Sequence, residues 1–151
     1  MLNQNQFTIT TLKGTLDSGS SITCQYSSAD PADLISAGEF VMLADVAASV
    51  APAVSVVKKG VDRASKYLGM VLTNPLKAAW ASGDKLEVAI LGTIAMVEAG
   101  SALASGARLT YDPATPGVVI GAGPGESVVG IAMEKATAAG QLVRCLVLTV
   151  V

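Results

Sequence analysis

The chain is predicted to be all-β: a small barrel or sandwich with an internal pseudo-repeat and an extended N-terminal arm. Three observations predict this. β-Branched residues alternate with polar ones at the strand period in many short runs. Glycine and proline punctuate those runs at close, regular spacing. A small-small-Gly element followed by a strand then occurs four times along the 151 residues.

Residues 1–30 form the expected arm. They are rich in Asn, Gln, Ser and Thr, with sparse apolar positions at Phe7, Ile9, Leu12, Leu16, Ile22 and Tyr26. Phe7-Thr8-Ile9-Thr10 and Ser21-Ile22-Thr23-Cys24-Gln25-Tyr26 alternate as strands do, and Asp17-Ser18-Gly19-Ser20 between them is a turn or hinge signal. Such strands need a partner surface, either the chain's own domain or another subunit.

Residues 31–151 read as one β-domain. Strands are expected at 39–43, 54–58, 67–72, 85–91, 93–97, 108–111, 118–120, 128–133 and 142–150. Alanine-rich 45–53 suits a helical turn that Pro52 cuts short, and 74–81 is long enough for two helical turns with Pro75 at a first helical position.

The repeated elements are Ser36-Ala37-Gly38-Glu39-Phe40-Val41, Ala81-Ser82-Gly83-Asp84-Lys85-Leu86, Ala104-Ser105-Gly106-Ala107-Arg108-Leu109 and Ala138-Ala139-Gly140-Gln141-Leu142-Val143. Each glycine is placed to supply a positive φ at a tight turn. Gly-centred strands, Tyr67-Leu68-Gly69-Met70-Val71-Leu72 and Val128-Val129-Gly130-Ile131-Ala132-Met133, precede the second and fourth. The order turn-strand, Gly-strand, turn-strand therefore runs twice, over about 31–92 and 99–150, which suggests a pseudo-duplication building one closed β-domain.

Composition narrows the function. The chain is 51% hydrophobic and 15% charged, which excludes global disorder. Ten Lys and Arg against twelve Asp and Glu leave a formal charge of −2, and the cations are scattered, so no nucleic-acid partner is expected. Histidine is absent, which removes His-based triads, Cys–His dyads and most catalytic zinc sites. Mean hydropathy is +0.54, yet the apolar stretch Val41 to Val57 is broken by Asp45, Ser49, Pro52 and Ser55, so no membrane partner is expected. The opening MLNQNQFTITTLKG has no basic segment followed by an apolar one and is not expected to be a signal peptide. Cys24 and Cys145 are far apart and flanked by alternating apolar residues, as strand residues in a reduced compartment would be.

No stretch signals catalysis, a cofactor or a metal. Gly121-Ala122-Gly123-Pro124-Gly125-Glu126 lacks the Lys-Ser/Thr and following helix of a phosphate loop, and Pro124 removes a backbone donor; it reads as a hairpin loop. Asp84, Glu87, Asp112, Glu126 and Glu134 are not spaced as an acid/base pair, and no oxygen-rich calcium loop occurs. Trp80 and Tyr111, beside turns, are read as core or rim residues. Lys58-Lys59 with Arg63 and Lys66 is the one basic cluster, suited to a solvated hairpin tip or to an acidic protein surface. The expected interaction residues are thus Phe7, Ile9, Leu12 and Tyr26 of the arm, with Lys58, Lys59 and Arg63 of the cluster.

The motifs form an ordered series: Ala37-Gly38-Glu39-Phe40-Val41, Gly69-Met70-Val71-Leu72-Thr73, Ala81-Ser82-Gly83-Asp84-Lys85-Leu86-Glu87-Val88, Ala104-Ser105-Gly106-Ala107-Arg108-Leu109, Val129-Gly130-Ile131-Ala132 and Ala139-Gly140-Gln141-Leu142-Val143. Over about 35–150 this series resembles the capsid cement, or head decoration, proteins of tailed bacteriophages. The chain departs from their pattern in its alanine-rich 44–53 and its longer 73–80 linker. The resemblance implies a β-barrel or β-tulip-like domain without enzymatic activity, made in the host cytoplasm and carried on the capsid exterior. It also implies the major capsid protein as partner and a homo-oligomer, dimer or trimer. The alternative is a receptor- or carbohydrate-binding β-module of a virion fibre or adhesin. That role calls for aromatics grouped on exposed loops, whereas one Trp, three Tyr and two Phe are spread singly here.

Overall fold

The computed structural model describes residues 13–47 and 53–149. All its regular structure is β, with no helix among the described residues. In chain order the strands are β1 (Leu16–Ser18), β2 (Ser21–Tyr26), β3 (Ile35–Ser36), β4 (Phe40–Leu43), β5 (Ser55–Lys59), β6 (Tyr67–Val71), β7 (Ala79–Trp80), β8 (Lys85–Ala89), β9 (Ile94–Ala99), β10 (Arg108–Tyr111), β11 (Val118–Gly121), β12 (Gly130–Ala132) and β13 (Leu142–Val147).

Two closed barrels result. The first closes in the order β2-β5-β4-β6-β8. In the second, β9 pairs with β11 along one edge and β13 along the other, so β9-β11-β10-β12-β13 also closes on itself; β1 adds to β9. The barrels have the same topology. In each, the first strand pairs in parallel with the third (β2 with β5, β9 with β11), and every other pairing is antiparallel. Register matches as well: Val41 faces Gly69 as Leu109 faces Gly130, Met70 faces Ala89 as Ile131 faces Leu146, and Tyr26 faces Val57 as Ala99 faces Val119. The duplication is therefore structural, but its first copy begins at β2, earlier than residue 31. Each copy closes its own barrel, where a single closed domain was expected. From residue 13 onward, the expected arm finds its strand partners within this chain, because the Ser21–Tyr26 alternation supplies the strand that closes barrel one.

The turn glycines behave alike in the two copies. Gly38, Gly83, Gly106 and Gly140 all have positive φ (89°, 95°, 81° and 88°). The Gly83 amide donates to the Tyr26 carbonyl at 2.8 Å, and Gly140 to Ala99 at 2.7 Å; Gly38 donates to Val71 at 2.8 Å, and Gly106 to Ala132 at 2.7 Å. Each such bond ties a turn to a neighbouring strand.

The two-turn helix expected over 74–81 does not form. Asn74 Oδ1 accepts from the Leu76 amide at 2.8 Å and the Lys77 amide donates to the Asn74 carbonyl at 3.2 Å, so Pro75 sits in a tight turn. Ala79–Trp80 then pairs with Ile35–Ser36, which brings Trp80 into the barrel-one core. Of the helical turn expected over 45–53, residues 45–47 carry no helix and 48–52 lie outside the described residues.

The barrel-one interior is filled by Cys24, Tyr26, Val41, Val57, Val71, Leu86 and Val88, with Ile35 and Trp80. Phe40 and Met70 alternate with these inward residues and so point out of barrel one, into a second buried cluster that includes the barrel-two interior. At that seam Phe40, Tyr67 and Tyr111 pack mutually, with ring centroids 5.3–6.2 Å apart. The two contacts of Tyr67 are edge-on and that of Phe40 with Tyr111 is tilted; an edge-on aromatic pair contributes about 0.5–1.5 kcal/mol beyond the area it buries.

Candidate interaction surface

The expected interaction residues fall into separate places. Phe7, Ile9 and Leu12 lie outside the described residues. Tyr26 is core, 1% exposed, and its hydroxyl donates to Asp33 Oδ2 at 2.9 Å. Burial, followed by the Asp33 contact, pushes its pKa up. Lys59 Nζ reaches Asp33 Oδ1 at 2.6 Å, and that hydrogen bond holds the Asp33 carboxyl below its ordinary value. Tyr26, Lys58 and Lys59 line one shallow recess of about 290 Å³ together with Ser28, Asp33 and Ala44.

Arg63 is elsewhere and serves the fold. From the β5–β6 loop its guanidinium reaches across the seam, Nε donating to Asp112 Oδ2 at 2.9 Å and Nη1 to Glu126 Oε1 at 3.1 Å. Its carbonyl accepts from the Ser127 amide at 2.8 Å. A planar, permanently charged fork suits this bridging of two carboxylates from separate loops. Both carboxyls are held below their usual values: Asp112 first by the Ala114 amide and then by Arg63, Glu126 first by the Gly123 amide and then by Arg63.

Two further links cross between the barrels. Gly14 donates to the Met96 carbonyl at 2.9 Å while its own carbonyl accepts from Thr73 at 3.0 Å, and Thr149 Oγ1 donates to the Leu68 carbonyl at 2.6 Å. Beside this seam Glu39 is buried, 6% exposed, with Oε2 accepting from the Ser36 amide at 2.6 Å; burial raises its pKa. Burial and then the Glu39 charge push Tyr111 up as well.

The cysteines are free and buried, one in each barrel, with thiol pKa values pushed by burial to about 11 at Cys24 and about 12 at Cys145. Such thiols are poor nucleophiles and poor metal ligands. Among the described residues no three His, Cys, Asp or Glu side chains gather as a metal site would require. What the surface does present is one mainly apolar groove and one hollow of mixed polarity. Leu91 (59% exposed), Arg108, Val128, Ile131 and Leu148 line an open groove of about 380 Å³ on barrel two. Leu43, Val46 and Val54 line a hollow of about 310 Å³ at one end of barrel one. No sequence motif marks either as a surface, and the correspondence of the two copies points to them only once the seam residues are known.

No protein-family model matches the chain, and no curated protein matches it. Among solved structures it is similar to the head fiber gp8.5 N base of bacteriophage phi29, with a TM-score of 0.54 and 19% identity, over 85% of this chain and 92% of that one. What the two share is the fold. The similarity spans both barrels, since 85% of the chain exceeds either one.

Proposed function

We propose that the chain is a structural, non-enzymatic protein of a bacteriophage head, bound to the outer surface of the major capsid lattice as a decoration, or cement, module. The observation that carries this reading is the tandem of like barrels, a fold it has in common with the phi29 head fibre base over most of both chains. The ordered Gly-strand series read from the sequence supports the same role. A clamp on a shell works through complementary surfaces and multivalent attachment, so modest contacts at each site add up through effective concentration. Closed barrels with turns locked by backbone bonds offer a stiff body for that task, and the apolar groove and the mixed hollow offer the contact area.

A second reading is that the chain forms the base of a head fibre, favoured by the fact that the similar phi29 structure is itself a fibre base. Copy number separates the two. Quantitative mass spectrometry of virions from the phage or lysogen that encodes the chain, counted against the major capsid protein, is expected to give near one-to-one or a simple fraction set by icosahedral symmetry. A handful of copies per particle would favour the fibre base, and absence from particles would overturn both readings.

A further inference from the structure

The barrel-to-barrel contact inside the chain has a vacant counterpart at each end of the tandem. Strand registers match Phe40 with Arg108, Met70 with Ile131 and, two residues before the matched glycines Gly69 and Gly130, Tyr67 with Val128. In barrel one, Phe40, Tyr67 and Met70 are fully buried and form its side of the seam. In barrel two, Arg108, Val128 and Ile131 line the open apolar groove with Leu91 and Leu148. The receiving side repeats as well. Tyr111, which takes Phe40 and Tyr67 against its ring, is matched by Leu43, because Tyr111 pairs with Val119 as Leu43 pairs with Val57. Leu43 is 42% exposed and lines the barrel-one hollow with Val46 and Val54.

We propose that the groove on barrel two of one molecule packs onto the barrel-one hollow of a second copy of this chain, repeating between molecules the contact that joins the barrels within one. Two features on the surfaces themselves favour a second copy over an unrelated occupant. Val128 and Ile131 stay apolar in the groove at the positions where barrel one has Tyr67 and Met70, both buried by this same fold. The charges also match, since Arg108 lies in the groove while Asp45 stands exposed beside the hollow, one residue past the counterpart of Asp112. A contact between two different surfaces is head-to-tail, so copies assemble into a closed ring or a filament, according to the rotation per step. The inference rests on the internal repeat and stands whether or not the protein decorates a capsid.

The test uses the full chain and two variants, Ile131→Asp in the groove and Leu43→Asp in the hollow, with folding checked by circular dichroism and assembly by sedimentation velocity. The wild type is expected to assemble, each variant alone to sediment as a monomer, and an equimolar mixture to form a one-to-one dimer. Among the variant samples, only the mixture contains both an intact groove and an intact hollow. A wild type that stays monomeric at every attainable concentration overturns the proposal. So does Leu43→Asp assembling like the wild type, or a mixture that remains monomeric. Should either variant unfold, Arg108→Glu and Val46→Asp, both at exposed side chains, carry the same comparison.

Discussion

Gly69 and Gly130 occupy the same place in their two barrels, and each lies against a backbone carbonyl of the strand beside it, Ala89 for the first and Leu146 for the second. A Cβ at Gly130 would stand 2.7 Å from the Leu146 oxygen, and one at Gly69 would strike the Ala89 oxygen more closely still. Glycine within a strand usually weakens it; here it allows the close approach of neighbouring backbones.

Alanine at either position is therefore expected to destabilise the protein by about 1–3 kcal/mol through overpacking against backbone that has no room to yield. Chemical denaturation of Gly69→Ala and Gly130→Ala measures it. Wild-type midpoints for both would mean the barrels relax more freely than the packed seam implies.

Gly83 and Gly140 make a different case. A Cβ at either meets nothing within 4 Å, so the constraint is the positive φ alone. Valine there should cost about 1–2 kcal/mol, while asparagine, which tolerates the left-handed region better, should cost less. Thermal melts that rank asparagine and valine equally would show that backbone conformation is not what selects these glycines.

The Arg63 bridge gives a pH dependence of known sign. Asp112 and Glu126 have depressed carboxyl pKa values in the folded state, so the stability they contribute is present above the ordinary carboxylate range and is lost as pH falls through their folded values. Arg63→Ala should flatten the fall in melting temperature between neutral pH and pH 3 without abolishing it, because the Ala114 and Gly123 amides remain as donors. An unchanged pH profile would mean the guanidinium contributes nothing to holding the seam.

Glu39 acts in the opposite direction. Its carboxyl pKa is raised, so the folded state binds the proton more tightly than the unfolded chain, and stability is lost as pH climbs from the ordinary carboxylate value through the raised one. Glu39→Gln keeps an acceptor for the Ser36 amide while removing the buried charge. It should melt above the wild type at pH 7 and together with it at pH 4. Equal melting at both pH values would show that the buried charge is fully compensated.

Local chemistry was legible in the sequence, and long-range geometry was not. β2 and β10 form with the bounds their alternation predicts, and the four turn glycines take the φ expected of them. β3 and β7 were not read, because two residues are too few for any period; Ile35 and Trp80 find each other only in the fold. The helix expected at 74–81 yielded to the Asn74 side chain, which caps a turn instead. The seam was hidden for a subtler reason. Phe40 and Val41 are both apolar and both buried, yet they face opposite sides of one strand, and only the presence of a second barrel shows why. Arg63 looked like part of a basic tip because its two partners lie 49 and 63 positions away.

Because every strand that closes barrel one precedes every strand that closes barrel two, their assembly can follow synthesis. Everything barrel one needs to close, from Ser21 to Ala89, leaves the ribosome before the first strand of barrel two begins at Ile94. Only the short β1 must wait for β9. The interval is hazardous, since Phe40, Tyr67 and Met70 then stand open to water until Tyr111 and its barrel arrive to cover them. The half-finished chain is thus at its most adhesive when its first barrel is complete, and a stalled or truncated product ending near residue 92 is the species most prone to aggregate.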